Sequence, residues 1–136
     1  QMPGSILFRG TPWASDQADD DGECSVSNGM YSLANTSRYV ECAFYAPAAG
    51  VFNVTIWGKT QGSPNAVRVY VDDVSAGTLA LFSDGSAIST GTAGGSASPT
   101  ALAVTIDAAG WYRIKVQSPS SSPTGCGVSK IVSVAA

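Results

Sequence analysis

The sequence predicts an all-β fold, an antiparallel β-sandwich of the jelly-roll type with eight or nine strands. Apolar and polar residues alternate with a period of two in many short runs, and no stretch shows the 3.6-residue period of an amphipathic helix. Clusters of Gly, Pro, Asp and Ser separate these runs at spacings that suit hairpins. The 136 residues contain no long linker, so we expect a single domain over residues 1–136.

Nine segments alternate clearly enough to be predicted as strands. In chain order they are Ser5–Phe8, Met30–Ala34, Arg38–Ala46, Val51–Lys59, Ala66–Asp72, Thr78–Phe82, Ala101–Asp107, Trp111–Gln117 and Val128–Val134. Four of them carry an apolar set on one side, which predicts the side that faces the core: Phe52/Val54/Ile56, Val67/Val69/Val71, Leu102/Val104/Ile106 and Tyr112/Ile114/Val116. The segment Ser83–Thr100 is rich in Gly, Ser, Thr and Ala and predicts a long, flexible loop.

One predicted strand, Val51–Lys59, places a tryptophan on a half-polar face. Phe52 and Ile56 point to the core side of this strand, whereas Asn53 and Trp57 lie on the opposite side. A tryptophan in that position is either covered by another part of the fold or contacts a ligand outside it. Both interpretations stay open at the level of the sequence.

The composition excludes several classes of function. Charged residues make up only 12% of the chain and the net charge is −3, so there is no basic patch for a nucleic acid. No apolar run is long enough to span a membrane. The chain has no histidine, which excludes Ser-His and Cys-His nucleophiles, and we expect no enzymatic activity. A surface built from Ser, Thr, Gly and Ala instead of charges favours a secreted, extracellular protein.

Three cysteines, Cys24, Cys42 and Cys126, leave at least one thiol without an intrachain partner. Cys42 lies on the apolar side of a predicted strand and is expected in the core. If a disulfide forms within the chain, we expect it between Cys24 and Cys126, because both fall in predicted loops. The unpaired thiol could also link two chains.

An acidic segment, Ser15–Ser25, precedes the second predicted strand. Its residues Asp19, Asp20, Asp21 and Glu23 surround a glycine, and clustered carboxylates of this kind can hold a structural Ca²⁺ through oxygen ligands. The spacing is not that of an EF-hand, and a solvated acidic loop is the alternative interpretation.

Three stretches resemble carbohydrate-binding modules of families 6 and 35. "SRYVECAFYAPAAGVFNVTIWGKT" is similar to their central hairpin, "AVRVYVDDVSAGTL" to the next hairpin, and "LAVTIDAAGWYRIKV" with "GVSKIVSV" to their closing strands. The similarity covers roughly residues 30–134. It implies a non-catalytic jelly roll that holds a sugar ring between two aromatic side chains, with an asparagine beside them, in loops at one end.

The family's usual cleft is only partly matched here. Tyr31 matches the first aromatic residue. The loop that carries the second aromatic corresponds to Ser83–Thr100, which contains none, and the asparagine aligns with Gly127. The family's N-terminal calcium motif is not reproduced either.

A displaced site on a sheet face is therefore the alternative location for sugar binding. Trp57 is the candidate platform, because sugar rings stack on aromatic faces and Asn53 on the same face could bond to hydroxyl groups. If the strand Ala66–Asp72 lies next to it, Tyr70 shares that face, and Trp111 extends it into a flat platform. The predicted carbohydrate-binding residues are thus Tyr31, Asn53, Trp57, Tyr70 and Trp111.

Two hypotheses of function follow from these patterns. The first is an extracellular, non-catalytic carbohydrate-binding module that binds a polysaccharide for an attached catalytic domain or a cell surface. The second is a structural subunit of a fibre, surface layer or virion, in which the jelly roll self-assembles and Trp57 lies in the contact between subunits.

Overall fold

Two antiparallel sheets form the fold. The computed structural model describes residues 26–121 and 125–136, together with the backbone of residues 5–8 and 14–15. Sheet A contains seven strands: β1 (Ser5–Phe8), β3 (Val26–Ser27), β4 (Met30–Ser32), β6 (Gly50–Thr60), β9 (Ser96–Ala97), β10 (Leu102–Ile106) and β12 (Cys126–Ala135). Sheet B contains five strands: β2 (Ala14–Ser15), β5 (Tyr39–Ala46), β7 (Ala66–Val71), β8 (Val74–Ala80) and β11 (Gly110–Gln117). The predicted all-β antiparallel sandwich is confirmed.

The order of strands is β10-β6-β12-β4-β3 in sheet A, where β1 also pairs with β12 and β9 also pairs with β6. Sheet B has the order β2-β5-β11-β7-β8. Strands β6 and β11 therefore lie inside different sheets, each with neighbours on both sides. Among the described residues, no helix is long and apolar enough to cross a membrane.

All nine predicted strands are present, and most ends differ by one or two residues. The exception is β8, which begins four residues before the predicted Thr78. Asp72 and Asp73 both have positive φ angles, 49° and 66°, and Val71 pairs directly with Val74. This is a two-residue hairpin turn, so the second strand starts at once. The three additional strands, β2, β3 and β9, are two residues long and carry no alternation that a sequence pattern could show.

The core lies between the two sheets, where the predicted inward sets meet. Phe52, Val54 and Ile56 of β6 are at most 3% exposed. Phe44 of β5 contacts Phe52 across the core in an edge-to-face arrangement, with ring centroids 5.2 Å apart. The other three predicted sets are also buried, except that one member at the end of each, Val71, Leu102 or Tyr112, is only partly buried.

The cysteines that the structure describes are both buried, free thiols. Cys42 lies in the core, as expected. Cys126 is the first residue of β12 and is fully buried, so the prediction that it lies in a loop and pairs with Cys24 is wrong. Burial raises the pKa of each thiol to about 12, which keeps both protonated and unreactive. Cys24 itself lies outside the described residues.

A buried lysine anchors the segment that was expected to be a flexible loop. Lys59 lies two residues after Trp57 in β6 and therefore extends from the same outer face of sheet A. It is nevertheless fully buried, because residues 83–95 cover it. Its ammonium lies 2.6 Å from a carboxylate oxygen of Asp84 and donates to the Ser86 carbonyl at 2.6 Å, the Ser86 hydroxyl at 2.7 Å and the Ala87 carbonyl at 3.2 Å. The loop is thus held to sheet A near its beginning, and β9, farther along the same segment, pairs with β6.

Removal of this ammonium should destabilise the protein. We expect Lys59→Met to lower the free energy of unfolding by about 3 kcal/mol, because two loop carbonyls and a carboxylate lose their partner. Lys130→Met is the matched control at a half-buried lysine, with a loss below about 1 kcal/mol. Urea unfolding of both variants measures the difference, and equal losses would contradict the anchoring role of Lys59.

The same contact should make stability depend on acid pH. Hydrogen bonds from Lys59 and Ser86 hold the pKa of Asp84 well below its usual range. A carboxylate with a lowered pKa stabilises the folded state above its unfolded pKa of about 3.9, and this contribution is lost as the pH falls below that value. We expect wild type to lose more stability than Asp84→Asn between about pH 7 and about pH 3 in urea titrations. The same loss of stability in both proteins would contradict a stabilising contribution from ionised Asp84.

Candidate functional site

The predicted carbohydrate-binding residues divide between the two sheets. Tyr31, Asn53 and Trp57 belong to sheet A, whereas Tyr70 and Trp111 belong to sheet B. The neighbours of β6 are β9, β10 and β12, and β7 pairs with β8 and β11 in the other sheet. A single platform that joins Trp57 to Tyr70 and Trp111 is therefore wrong, because the outer faces of the two sheets point in opposite directions. The structure offers two separate surfaces instead.

The first surface is a groove of about 400 Å³ beside Trp57, which we call the Trp57 groove. It lies between the β3–β4 hairpin, the outer face of β6 and β12, and the end of the anchored loop. Its lining residues are Val26, Gly29, Met30, Tyr31, Trp57, Ala93, Gly94, Gly95, Ser129 and Lys130.

Close contact between backbones shapes the rim of this groove. A side chain on Gly95 would place its Cβ 2.3 Å from the backbone of Gly58, and one on Gly58 would meet the carbonyl oxygen of Gly127 at 2.2 Å. Only glycine fits at both positions. The amide of Gly94 donates to the carbonyl of Asn28, which joins the loop to the β3–β4 turn. The rim is therefore fixed from two sides.

One face of the Trp57 ring is occupied within this groove. The ammonium of Lys130 lies 3.9 Å from the centroid of the Trp57 ring, a close cation–π contact. Trp57 itself is half-buried. On this side, the ring contacts another part of the fold, the ammonium of Lys130, which is the first of the two interpretations that the sequence left open.

A β-bulge produces this contact. Val128 is opposite Gly58, but Lys130 is opposite Trp57, so Ser129 is an extra residue in β12. If the pairing continued in regular register from Val128, without the bulge, Lys130 would be opposite Ile56 and would point into the core. With it, Ile131 takes the core position and is fully buried. The Ser129 hydroxyl bonds to the carbonyl oxygens of Gly94 at 2.5 Å and Trp57 at 3.3 Å.

The other predicted residues of sheet A lie away from Trp57 or inside the fold. Tyr31 borders the groove, but it is opposite the core residue Val128, and it is only 7% exposed. Asn53 is exposed on the same face as Trp57, about 13 Å along the strand at 3.3 Å per residue. Sugar binding by Tyr31 and Asn53 stays a prediction from the sequence.

The second surface is the outer face of sheet B, which we call the aromatic face. It contains Trp111 and Tyr45, which are directly opposite each other with ring centroids 5.2 Å apart, and Tyr70 and Tyr39 farther along the sheet. Trp111 is 68% exposed and Tyr45 is 37% exposed. The ammonium of Lys115 lies 4.9 Å from the ring centroid of Tyr70 and 5.3 Å from that of Tyr39.

Charged side chains surround Trp111. A cavity of about 430 Å³ is lined by Ala43, Asp72, Trp111, Tyr112 and Arg113. The guanidinium of Arg113 lies 2.8 Å from a carboxylate oxygen of Asp73 and 3.8 Å from one of Asp72. The hydrogen bond from Arg113 lowers the pKa of Asp73, and the same contact raises the pKa of Arg113. Arg113 and its acidic partners therefore carry opposite charges on the side of the sheet where Trp111 lies.

Sequence reasoning missed four residues of these surfaces: Tyr39, Tyr45, Arg113 as a partner of the turn acids, and Lys130. Alternation within β5 already places Tyr39 and Tyr45 on the side opposite the core, so that signal was present. Lys130 gave no such signal, because its outward position depends on the bulge at Ser129. The positions of Arg113 and Asp73 depend on which strands pair.

The predicted calcium ligands Asp19, Asp20, Asp21 and Glu23 lie outside the described residues. Within residues 26–121 and 125–136, no group of three or more acidic or cysteine side chains is arranged to hold a metal ion. The calcium site therefore stays a prediction from the sequence.

No family model and no curated protein matches this sequence. Solved structures do match. The family 35 carbohydrate-binding module from Clostridium thermocellum superposes with a TM-score of 0.59 at 12% identity, over 97% of this chain and 92% of that one. The C-terminal CBM6 of LamC, a marine laminarinase from Zobellia galactanivorans, gives a TM-score of 0.63 at 14% identity, over 96% and 98% of the two chains. This chain has the fold of those carbohydrate-binding modules.

A larger protein also contains this fold. The GH26-CBM35 β-(1,4)-mannanase from Podospora anserina matches 99% of this chain with a TM-score of 0.62 at 10% identity. This chain spans only 28% of the length of that mannanase. The resemblance to modules of families 6 and 35 is thus confirmed as a resemblance of fold.

The exposed tryptophan of this carbohydrate-binding-module fold should contribute little to stability. We expect Trp111→Ala to change the free energy of unfolding by less than about 1 kcal/mol, because most of the side chain is already in solvent. Phe52→Ala, which removes a buried ring, should cost about 3–5 kcal/mol. Urea unfolding compares them, and a large loss for Trp111→Ala would assign that residue a role in folding.

Proposed function

We propose that the protein is a non-catalytic carbohydrate-binding module that acts outside the cell and binds a polysaccharide on the aromatic face. The observation that carries this proposal is Trp111, an indole 68% exposed on the flat face of a sheet, directly beside Tyr45. A large aromatic ring in solvent has an unfavourable contact with water, and a sugar ring stacked on it would remove that contact.

The surroundings of Trp111 suit the hydroxyl groups of a sugar. Asp72 and Arg113 line the same cavity as the ring and supply acceptors and donors there, and Arg113 also forms an ion pair with Asp73. Rigid strands carry Trp111 and Tyr45, so little conformational entropy is lost on binding. Arg113 and Lys115 are balanced by the two aspartates, which favours an uncharged sugar at this face.

The structural neighbours support the same class of function. Two of them are carbohydrate-binding modules over nearly their whole length, and a third is a mannanase in which the matching region is a small part. By analogy, this chain would bring an attached catalytic domain to its polysaccharide. The acidic residues Asp19, Asp20, Asp21 and Glu23 would hold a structural Ca²⁺ in this proposal.

The decisive experiment measures binding to neutral polysaccharides. Soluble mannan and laminarin are suitable probes, because two of the structurally similar proteins are a mannanase and a module of a laminarinase. We expect wild type to be retarded in affinity gels that contain one of them, and Trp111→Ala to weaken binding about thirtyfold, as truncation of a central aromatic side chain does. Trp57→Ala, on the opposite sheet, is the matched control and should bind like wild type.

Other outcomes would reject this location or this function. Equal binding by wild type and Trp111→Ala would move the site away from the aromatic face. Self-assembly as a structural subunit is the alternative, since the exposed Trp111 and Tyr45 also suit a contact with a second copy. Sedimentation over a wide range of concentrations distinguishes them: a wild-type oligomer that Trp111→Ala dissociates, without sugar binding, would favour the subunit.

A further inference from the structure

We propose that the Trp57 groove is a second binding site, which takes an anionic group of a polysaccharide, a carboxylate or a sulfate, on the ammonium of Lys130. This site is independent of the aromatic face, because it lies on the outside of the other sheet. It would let the module recognise acidic sugars in addition to the neutral ones proposed for Trp111.

The charges of the groove carry the proposal. Among the described residues that line the groove, Lys130 is the only charged one, and none of them is an aspartate or a glutamate. The other two lysines form ion pairs, Lys59 with Asp84 and Lys115 with Asp73. Within the part of the chain that the structure describes, Lys130 has no ion-pair partner, and its ammonium contacts the Trp57 ring. Among the described residues, Lys130 is thus a cation without a carboxylate partner, and it lies in a concave site of a protein of net charge −3.

The contact with Trp57 leaves the ammonium able to bind. An aromatic ring attracts the cation by its quadrupole but accepts no conventional hydrogen bond, so the three N–H donors of Lys130 can be directed toward a ligand. Trp57 also limits the rotamers of the long side chain, which lowers the entropy lost when an anion is bound. In this site Trp57 is a positioning residue, and Lys130 makes the contact.

The bulge at Ser129 is a further reason to regard the arrangement as built for a ligand. It is the feature that turns Lys130 out of the core and over Trp57, and bulges of this kind commonly re-aim a side chain beside a binding site. The same serine fastens Gly94 of the loop, so one residue sets both the cation and the rim that faces it.

The overall negative charge does not prevent such binding. At physiological ionic strength, interactions between exposed charges are largely screened beyond about 8 Å. The anion in the groove would therefore interact mainly with Lys130.

Matched pairs of polymers test the proposal and separate the two anionic groups. Polygalacturonate is compared with its fully methyl-esterified form, and dextran sulfate with dextran. We expect wild type to bind at least one charged polymer and to bind its uncharged counterpart more weakly. Lys130→Gln should weaken binding to that charged polymer about tenfold, as loss of a hydrogen bond to a charged group does, and Lys130→Arg should largely restore it.

Two further variants complete the experiment. Trp57→Leu should lower the affinity for the charged polymer by a smaller factor and leave unfolding by urea nearly unchanged. Trp111→Ala should leave binding of the charged polymer intact, so failure at one surface does not decide the other. If neither charged polymer binds, or if Lys130→Gln and wild type bind it equally, the groove is not an anion site. A loss with Lys130→Gln that Lys130→Arg does not restore would overturn it as well.

Discussion

The buried ammonium of Lys59 is the contact on which the outer side of sheet A depends. A lysine that extends from the face of a sheet normally reaches solvent, and here residues 83–95 fold over it and supply four oxygen atoms. The loop contains almost no apolar side chains of its own, so this polar contact replaces a hydrophobic one as its attachment. Because the loop is fixed there, its glycines reach Gly58 and close one side of the Trp57 groove.

The register of strand pairing decides which side chains reach the two surfaces, because a shift of one residue exchanges the two faces of a strand. The bulge in β12 uses that property locally, with core residues on both sides of it and a cation between them. On sheet B the register is regular across β11, and it aligns Trp111 with Tyr45 and Lys115 with Tyr70. An irregular strand thus makes a concave charged site, and regular strands make a flat aromatic one.

The sequence predicted the parts of this fold that depend on local patterns. Alternation located nine strands and the core sets, since burial of one face imposes a period of two on each strand separately. It could not show which strands are neighbours, and the proposed union of Trp57 with Tyr70 failed for that reason. It also could not show that Lys59 is covered or that Lys130 is turned outward. Both depend on residues distant in sequence, a loop in one instance and a bulged pairing in the other.

The back-to-back placement of the two surfaces has a consequence for polymers. Sites that share one face can grip a single chain twice and gain affinity through a high effective concentration. Sites on opposite faces of a thin sandwich cannot both reach the same straight stretch of polymer. A module that uses both would instead join a neutral strand to an acidic one and act as a crosslink in a mixed polysaccharide network, where its effect would be on the stiffness of the gel.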